Sequence, residues 1–159
     1  MATPSGVGAR IILSAVRVLG IDYGARRIGL ALSDASATLA SPWRLLERTP
    51  SEPHTLHVLA GEIASLRDAD DGLACVVVGW PRRLDGSPTT QTARVEAFAR
   101  ALEARIGLPV VLQDERLSSH EAESRLAEGE RDWRKRKAKL DAAAAAVILQ
   151  DYLDARPRG

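Results

Sequence analysis

Residues 16–34 read Val16-Arg17-Val18-Leu19-Gly20-Ile21-Asp22-Tyr23-Gly24-Ala25-Arg26-Arg27-Ile28-Gly29-Leu30-Ala31-Leu32-Ser33-Asp34. The apolar run from Val16 to Ile21 ends at Asp22, and Tyr23-Gly24 break it, the pattern of a strand running into a turn. Arg27 to Asp34 reads as a second strand, and so short a connection makes it antiparallel to the first. Leu39 to Glu47 gives a third strand, with Pro42 pointing to a sheet edge because proline cannot donate to a ladder.

Beyond this meander the period changes. Leu56, Leu59, Ile63 and Leu66 recur at helical spacing, with Ser51 or Pro53 opening the segment. Leu73 to Gly79 is a Val-rich run bounded by glycines, as expected of a strand buried on both faces. Val95, Phe98, Leu102 and Ile106 predict another helix, stopped by Gly107 and Pro109. Pro109 to Leu112 predicts a fifth strand, leading into Gln113-Asp114-Glu115-Arg116. Ser118 or Ser119 can cap a short helix, and a final Ala-rich helix is expected from about Leu140 to Ala155. The order predicts one α/β domain with a five-stranded mixed sheet: three antiparallel strands, then helix–strand–helix–strand–helix. Its expected limits are residues 16–155, with 1–15 a loose leader and 156–159 a tail.

Composition narrows the function classes. The chain has 159 residues, 45% hydrophobic and 27% charged, which suits one globular domain and excludes a disordered one. Lys plus Arg number 22 against 21 Asp plus Glu, so no global charge excess announces a polyanionic partner. The lone Cys75 excludes an internal disulfide framework and a cysteine-based zinc cluster. Residues 11–16 are too short an apolar run for a signal peptide, and a cytoplasmic location is expected.

Three acids sit where core elements end. Asp22 closes the first strand, Glu115 follows the last, and Asp141 opens the predicted final helix. Ligands of open α/β sheets bind beyond the carboxyl ends of parallel strands. If the first, fourth and fifth strands are parallel neighbours, Asp22 and Glu115 share one rim, and a helix packed on the sheet brings Asp141 there. Clustered carboxylates repel one another and resist burial. A hard divalent cation, Mg²⁺ or Mn²⁺, relieves both problems, and two ions about 4 Å apart suit phosphodiester hydrolysis. Each acid alone also has an ordinary reading. Asp22 then belongs to a turn, Glu115 pairs with Arg116, and Asp141 is a helix N-terminal charge.

The segment Leu19 to Asp34 resembles the opening signature of the YqgF/RuvX family. Three further segments agree in order: Val77-Val78-Gly79-Trp80-Pro81 with Asp85-Gly86-Ser87; Asp114-Glu115-Arg116-Leu117-Ser118; and Lys137-Ala138-Lys139-Leu140-Asp141 with Ala144-Ala145 and Ile148-Leu149-Gln150. The match runs from about Arg17 to Leu153. The resemblance implies a ribonuclease-H-like fold and a metal-dependent nuclease that matures the 5′ end of 16S ribosomal RNA. A Holliday-junction resolvase acting on branched DNA is the alternative. By motif position it makes Asp22, Glu115 and Asp141 the catalytic, metal-binding acids. The chain departs from the wider fold class after the fourth strand, where Gly79-Trp80-Pro81 replaces an acid that many ribonuclease-H-like nucleases carry. Asp85 or Asp114 could stand in.

Basic residues flank these positions. Arg26 and Arg27 lie beside Asp22, Arg82 and Arg83 follow the fourth strand, and Arg116 adjoins Glu115. Residues 131–139 add six cations against one acid, with Lys137 one helical turn before Asp141. Such residues can neutralise phosphates of structured RNA or branched DNA. The same run also reads as an ordinary solvated loop, and Trp80 as packing beneath its own loop. His54 and His57 have no third soft ligand and read as surface positions. Two other functional classes remain at this level: a non-catalytic nucleic-acid-binding assembly factor, and an actin-like phosphotransferase, which needs two such domains. Monomer and homodimer are both compatible with the pattern.

Overall fold

The computed structural model describes residues 16–115 and 133–156, the stretch 133–141 as helix backbone only. The leader, the tail beyond residue 156, the short helix after Ser118, and Arg116 lie outside the described residues. Five strands form one sheet: β1 (Arg17–Tyr23), β2 (Arg27–Ser33), β3 (Ala40–Glu47), β4 (Leu73–Trp80) and β5 (Val110–Asp114). The described residues also form three helices: α1 (Glu52–Asp68), α2 (Thr90–Ile106) and α3 (Trp133–Ala155). Among these elements no helix is long and apolar enough to cross a membrane.

The strand order is β3-β2-β1-β4-β5. β1 is antiparallel to β2, and β2 to β3, whereas β1, β4 and β5 are parallel. The expected mixed sheet is therefore the observed one, and β3 lies at an edge as Pro42 predicted. Its ladder with β2 shifts register between Leu30 and Ala31, where Ala31 pairs with Pro42. The break absorbs the missing donor.

Both faces of the sheet are covered. Leu19, Ile21 and Tyr23 of β1 pack with Leu59 and Ile63 of α1 and Phe98 and Leu102 of α2. The intervening Val18 joins Val77 of β4 and Ala145, Ile148 and Leu149 of α3 on the other face. Because β1 and β4 are covered on both sides, they read as continuous apolar runs, and burying each Leu or Ile contributes on the order of 1.5–3 kcal/mol.

Local chemistry sets the helix ends. The Ser51 side chain accepts from the His54 backbone N–H and caps α1, with Pro53 in its first turn. Thr89 and Thr92 form a reciprocal capping box on α2, and Gly107 closes it at φ 73°. Two boundaries differ from expectation. β5 extends to Asp114 because its ladder with β4 continues to the Trp80–Asp114 pair. α3 begins at Trp133, well before Leu140, since Arg, Lys and Ala are strong helix formers and the basic run continues the helix.

Candidate active site at the parallel rim

β1, β4 and β5 end together, which sets Asp22, Trp80 and Asp114 along one rim. Alternation along β1 places Leu19, Ile21 and Tyr23 toward α1 and α2, so Val18, Gly20 and Asp22 fall on the α3 face. Gly20 lies tightly beneath α3. A Cβ there would meet the Leu149 Cβ at 2.7 Å and the Ala145 carbonyl oxygen at 3.0 Å. No residue larger than glycine fits beneath that helical turn.

Glu115 follows β5, and its backbone N–H reaches the Trp80 carbonyl oxygen at 3.4 Å. Its carboxylate lies directly over Gly79, on the same α3 face. A Cβ at Gly79 would stand 2.3 Å from Glu115 Oε2 and 2.6 Å from Ile148 Cδ1. Gly79 is thus the space into which the Glu115 side chain folds. The sequence reading treats this glycine as the boundary of the Val-rich strand. The available signal was an isolated glycine inside a Val-rich strand, a usual mark of close approach.

Burial, then the charges of Asp22 and Asp114, push the Glu115 carboxyl up to about 7. The shift locates Asp22 within electrostatic reach of Glu115 and shows an excess of negative potential at the rim. That is the chemistry of a candidate hard-cation site: a Glu115 carboxyl whose ionisation is held back first by burial and then by neighbouring carboxylates. Among the described residues no three His, Cys, Asp or Glu side chains form a metal cluster.

α3 brings the third acid's backbone to the same end. Its C-terminal half is tied to the amino end of β1 and its neighbours. Gln150 bonds to Ala40 and Thr38, Tyr152 lies by Cys75, and Arg156 reaches the Ala37 carbonyl. The helix therefore runs antiparallel to β1, and residue 141 lies one turn before Ala145, toward the Asp22 end. The expectation that Asp141 opens the helix is corrected: it sits about two turns inside α3, so it is not an N-terminal charge on the helix dipole. Lys137 lies one turn earlier on the same helix.

The two candidate fourth acids have other engagements. Asp114 Oδ2 pairs with Arg82 Nη2 at 2.5 Å. Asp85 Oδ1 accepts from the Ser87 backbone N–H at 2.9 Å and from its hydroxyl at 2.6 Å, an Asx turn within the loop. Arg82 also lies over the Trp80 ring at 4.0 Å, and Trp80 Nε1 donates to Glu96 at 3.1 Å. Trp80 therefore packs between Arg82 and Glu96, in keeping with the packing role read from the sequence. Arg82, expected as a phosphate contact, is occupied by Asp114 and the indole. Arg26 is exposed, and Arg83 is exposed with Nε donating to the Pro88 carbonyl. Arg27 is half-buried and lies 3.8 Å from Glu47. His54 and His57 are surface residues of α1, as expected.

The strand order and the helices on both faces define a ribonuclease-H-like domain. T. thermophilus RuvC, solved in complex with a Holliday junction substrate, shares this fold with a TM-score of 0.51 at 17% identity, covering 88% of this chain and 95% of that one. The chain belongs to the RuvX family, whose model, described as a Holliday junction resolvase, matches residues 16–155. A relative from Anaeromyxobacter sp. (strain Fw109-5), named "Putative pre-16S rRNA nuclease", is 44% identical over 89% of this chain and 98% of its own length. One of the same name from Maridesulfovibrio salexigens is 41% identical over 87% and 98%. The family resemblance read from the motifs is borne out.

Proposed function

We propose that this chain is a divalent-metal-dependent nuclease that hydrolyses phosphodiester bonds of structured RNA, with the 5′ end of precursor 16S ribosomal RNA as its substrate. The observation that carries the reading is the Glu115 carboxylate, folded over Gly79 and pushed up to about 7 by burial and by Asp22 and Asp114. Family membership and the names of the curated relatives support the reaction and the substrate. Residues 16–155 form the nuclease domain, with the leader and tail outside it, and such a substrate puts the protein in the cytoplasm.

Asp22, Glu115 and Asp141 would hold the cation, and their hard oxygens favour Mg²⁺ or Mn²⁺. When bound, the metal supplies Lewis-acid activation of water and neutralises charge at phosphorus. Asp22 and Glu115 orient the reacting groups from a rigid strand end and a glycine-floored recess. Glu115 can keep or release a proton near neutral pH until positive charge arrives. Arg26, Arg27, Arg83, Arg116 and Lys137 grip flanking phosphates, while Arg82 keeps the Asp114 carboxylate engaged.

The test is cleavage of precursor 16S RNA and of a four-way DNA junction by highly purified protein with Mg²⁺ or Mn²⁺. Asp22→Asn should abolish RNA cleavage without loss of folded structure. Unchanged cleavage by that variant would sink the site. Tight RNA binding indifferent to metal, with no cleavage under any cation, would replace the nuclease with a binding factor.

A further inference from the structure

Asp22 and Tyr23 are neighbours in β1 whose side chains leave the sheet on opposite faces. Tyr23 turns away from Glu115 and stacks on Phe98 of α2, with ring centroids 3.9 Å apart at 15°. Beside this pair, between the start of α1 and the middle of α2, lies a cavity of about 390 Å³. Leu56 and Phe98 form its apolar floor, while Arg48, Glu52 and Arg94 stand around it.

The polar groups there are organised. The Tyr23 hydroxyl donates to Glu52 Oε1 at 2.5 Å, and Arg48 Nη2 lies 3.3 Å from Glu52 Oε2. Arg48 also packs over the Tyr23 ring at 4.3 Å and donates to the Gly24 carbonyl at 3.0 Å. Glu52 is therefore already answered by two donors, and two guanidinium groups face one carboxylate. The first turn of α1, which starts at Glu52, adds its positive dipole end. An apolar slot of this size with a cationic rim matches one planar aromatic group carrying one phosphate. A bare anion would leave the floor unused, and an extended peptide would outrun the cavity.

We propose that this cavity is a nucleotide subsite, with a base against Leu56 and Phe98 and a phosphate at Arg94, while Arg48 stays engaged with Glu52 and the Gly24 carbonyl. Its occupant is a nucleotide of the bound strand that has crossed the β1–β2 turn from the Asp22 rim. In that respect the subsite rests on the nuclease reading.

The experiment uses the full chain and follows backbone amide signals and binding heat. The probes are the four 5′-mononucleotides, inorganic phosphate and a short single-stranded RNA. Mononucleotides should shift the signals of Leu56, Arg94 and Phe98 and bind more tightly than phosphate, and the RNA should compete with them. Arg94→Glu removes the phosphate partner and Ala101→Trp fills the cavity, both at exposed positions on α2. Each should weaken mononucleotide binding by about tenfold or more. Asp22→Asn should leave that affinity unchanged while cleavage is lost, which separates failure of the subsite from failure of the catalytic reading. Shifts absent from the cavity, equal affinity for phosphate, indifference to Arg94→Glu, or mononucleotide binding that RNA does not displace would each overturn the proposal.

Discussion

Glu115 Oε2 lies 2.3 Å from the point where a Cβ on Gly79 would stand, so glutamate and glycine occupy one shared recess across adjacent strands. The absence of an acid at the end of β4 follows physically from this contact. A side chain there would evict the carboxylate that β5 delivers.

Gly79→Ala should therefore damage activity more than folding. The Ile148 methyl that a new Cβ would also meet is the end of a flexible side chain and can yield, whereas the carboxylate must leave its position. A displacement of about 1 Å in a reacting constellation costs on the order of a hundredfold in rate. Initial cleavage rates at saturating Mg²⁺ check this, and parent-like rates would contradict the shared recess.

The Glu115 titration makes stability depend on pH in a stated direction. Its folded-state value of about 7 stands above the ordinary 4.5, so the folded protein binds the proton more tightly than the unfolded chain does. The associated stability is fully present below about pH 4.5 and is lost as pH rises through 7. It amounts to no more than about 3 kcal/mol, less the solvent screening of a partly exposed group. In calorimetry without divalent cations, the parent should lose more melting temperature from pH 5 to pH 8 than Glu115→Gln does. Adding Mg²⁺ at pH 8 should recover the loss in the parent and not in the variant.

Arg82 and Arg83 are neighbours with different engagements, and salt dependence separates them. Arg83→Gln should reduce the slope of log affinity for RNA against log salt by about 0.7. Arg82→Gln should leave the slope unchanged and lower stability by about 1–3 kcal/mol, because the Asp114 carboxylate loses the guanidinium that faces it beside Glu115. A reduced slope for Arg82→Gln would restore it as a phosphate contact.

Gln150 ties α3 to the sheet edge. Its Oε1 accepts from the Ala40 backbone N–H at 2.9 Å, and its Nε2 donates to the Thr38 carbonyl at 3.0 Å. Gln150→Ala should cost about 1–3 kcal/mol in chemical denaturation. Gln150→Glu keeps the acceptor but sets a carboxylate against the Thr38 carbonyl and Asp154 Oδ1, so it should cost at least as much. A neutral result for Gln150→Ala would show that apolar packing alone sets the seat of α3.

The elements were legible because their signals are local. Glycine and proline punctuation, the Ser51 cap and the Val-rich run of β4 act over a few residues, and the edge position of β3 follows from Pro42 alone. The acids at 22 and 115 were legible as strand ends. The start of α3 was misread because a basic run resembles a solvated loop until helix propensity and packing are weighed together. The pairing of Arg82 with Asp114 was not legible, because a cation beside the rim looks the same in sequence whether it meets phosphate or a carboxylate. The cavity between α1 and α2 left no sequence signal, since Tyr23, Arg48 and Arg94 meet only when three elements pack.

The chain by itself determined a mixed five-stranded domain and the residues able to carry charge to its rim, because periodicity, capping and turn chemistry are properties of neighbouring residues. Only the tertiary structure decided what those charges do. The proton affinity of Glu115 depends on the dielectric around it and on carboxylates contributed by β1 and β5, which folding alone brings within reach.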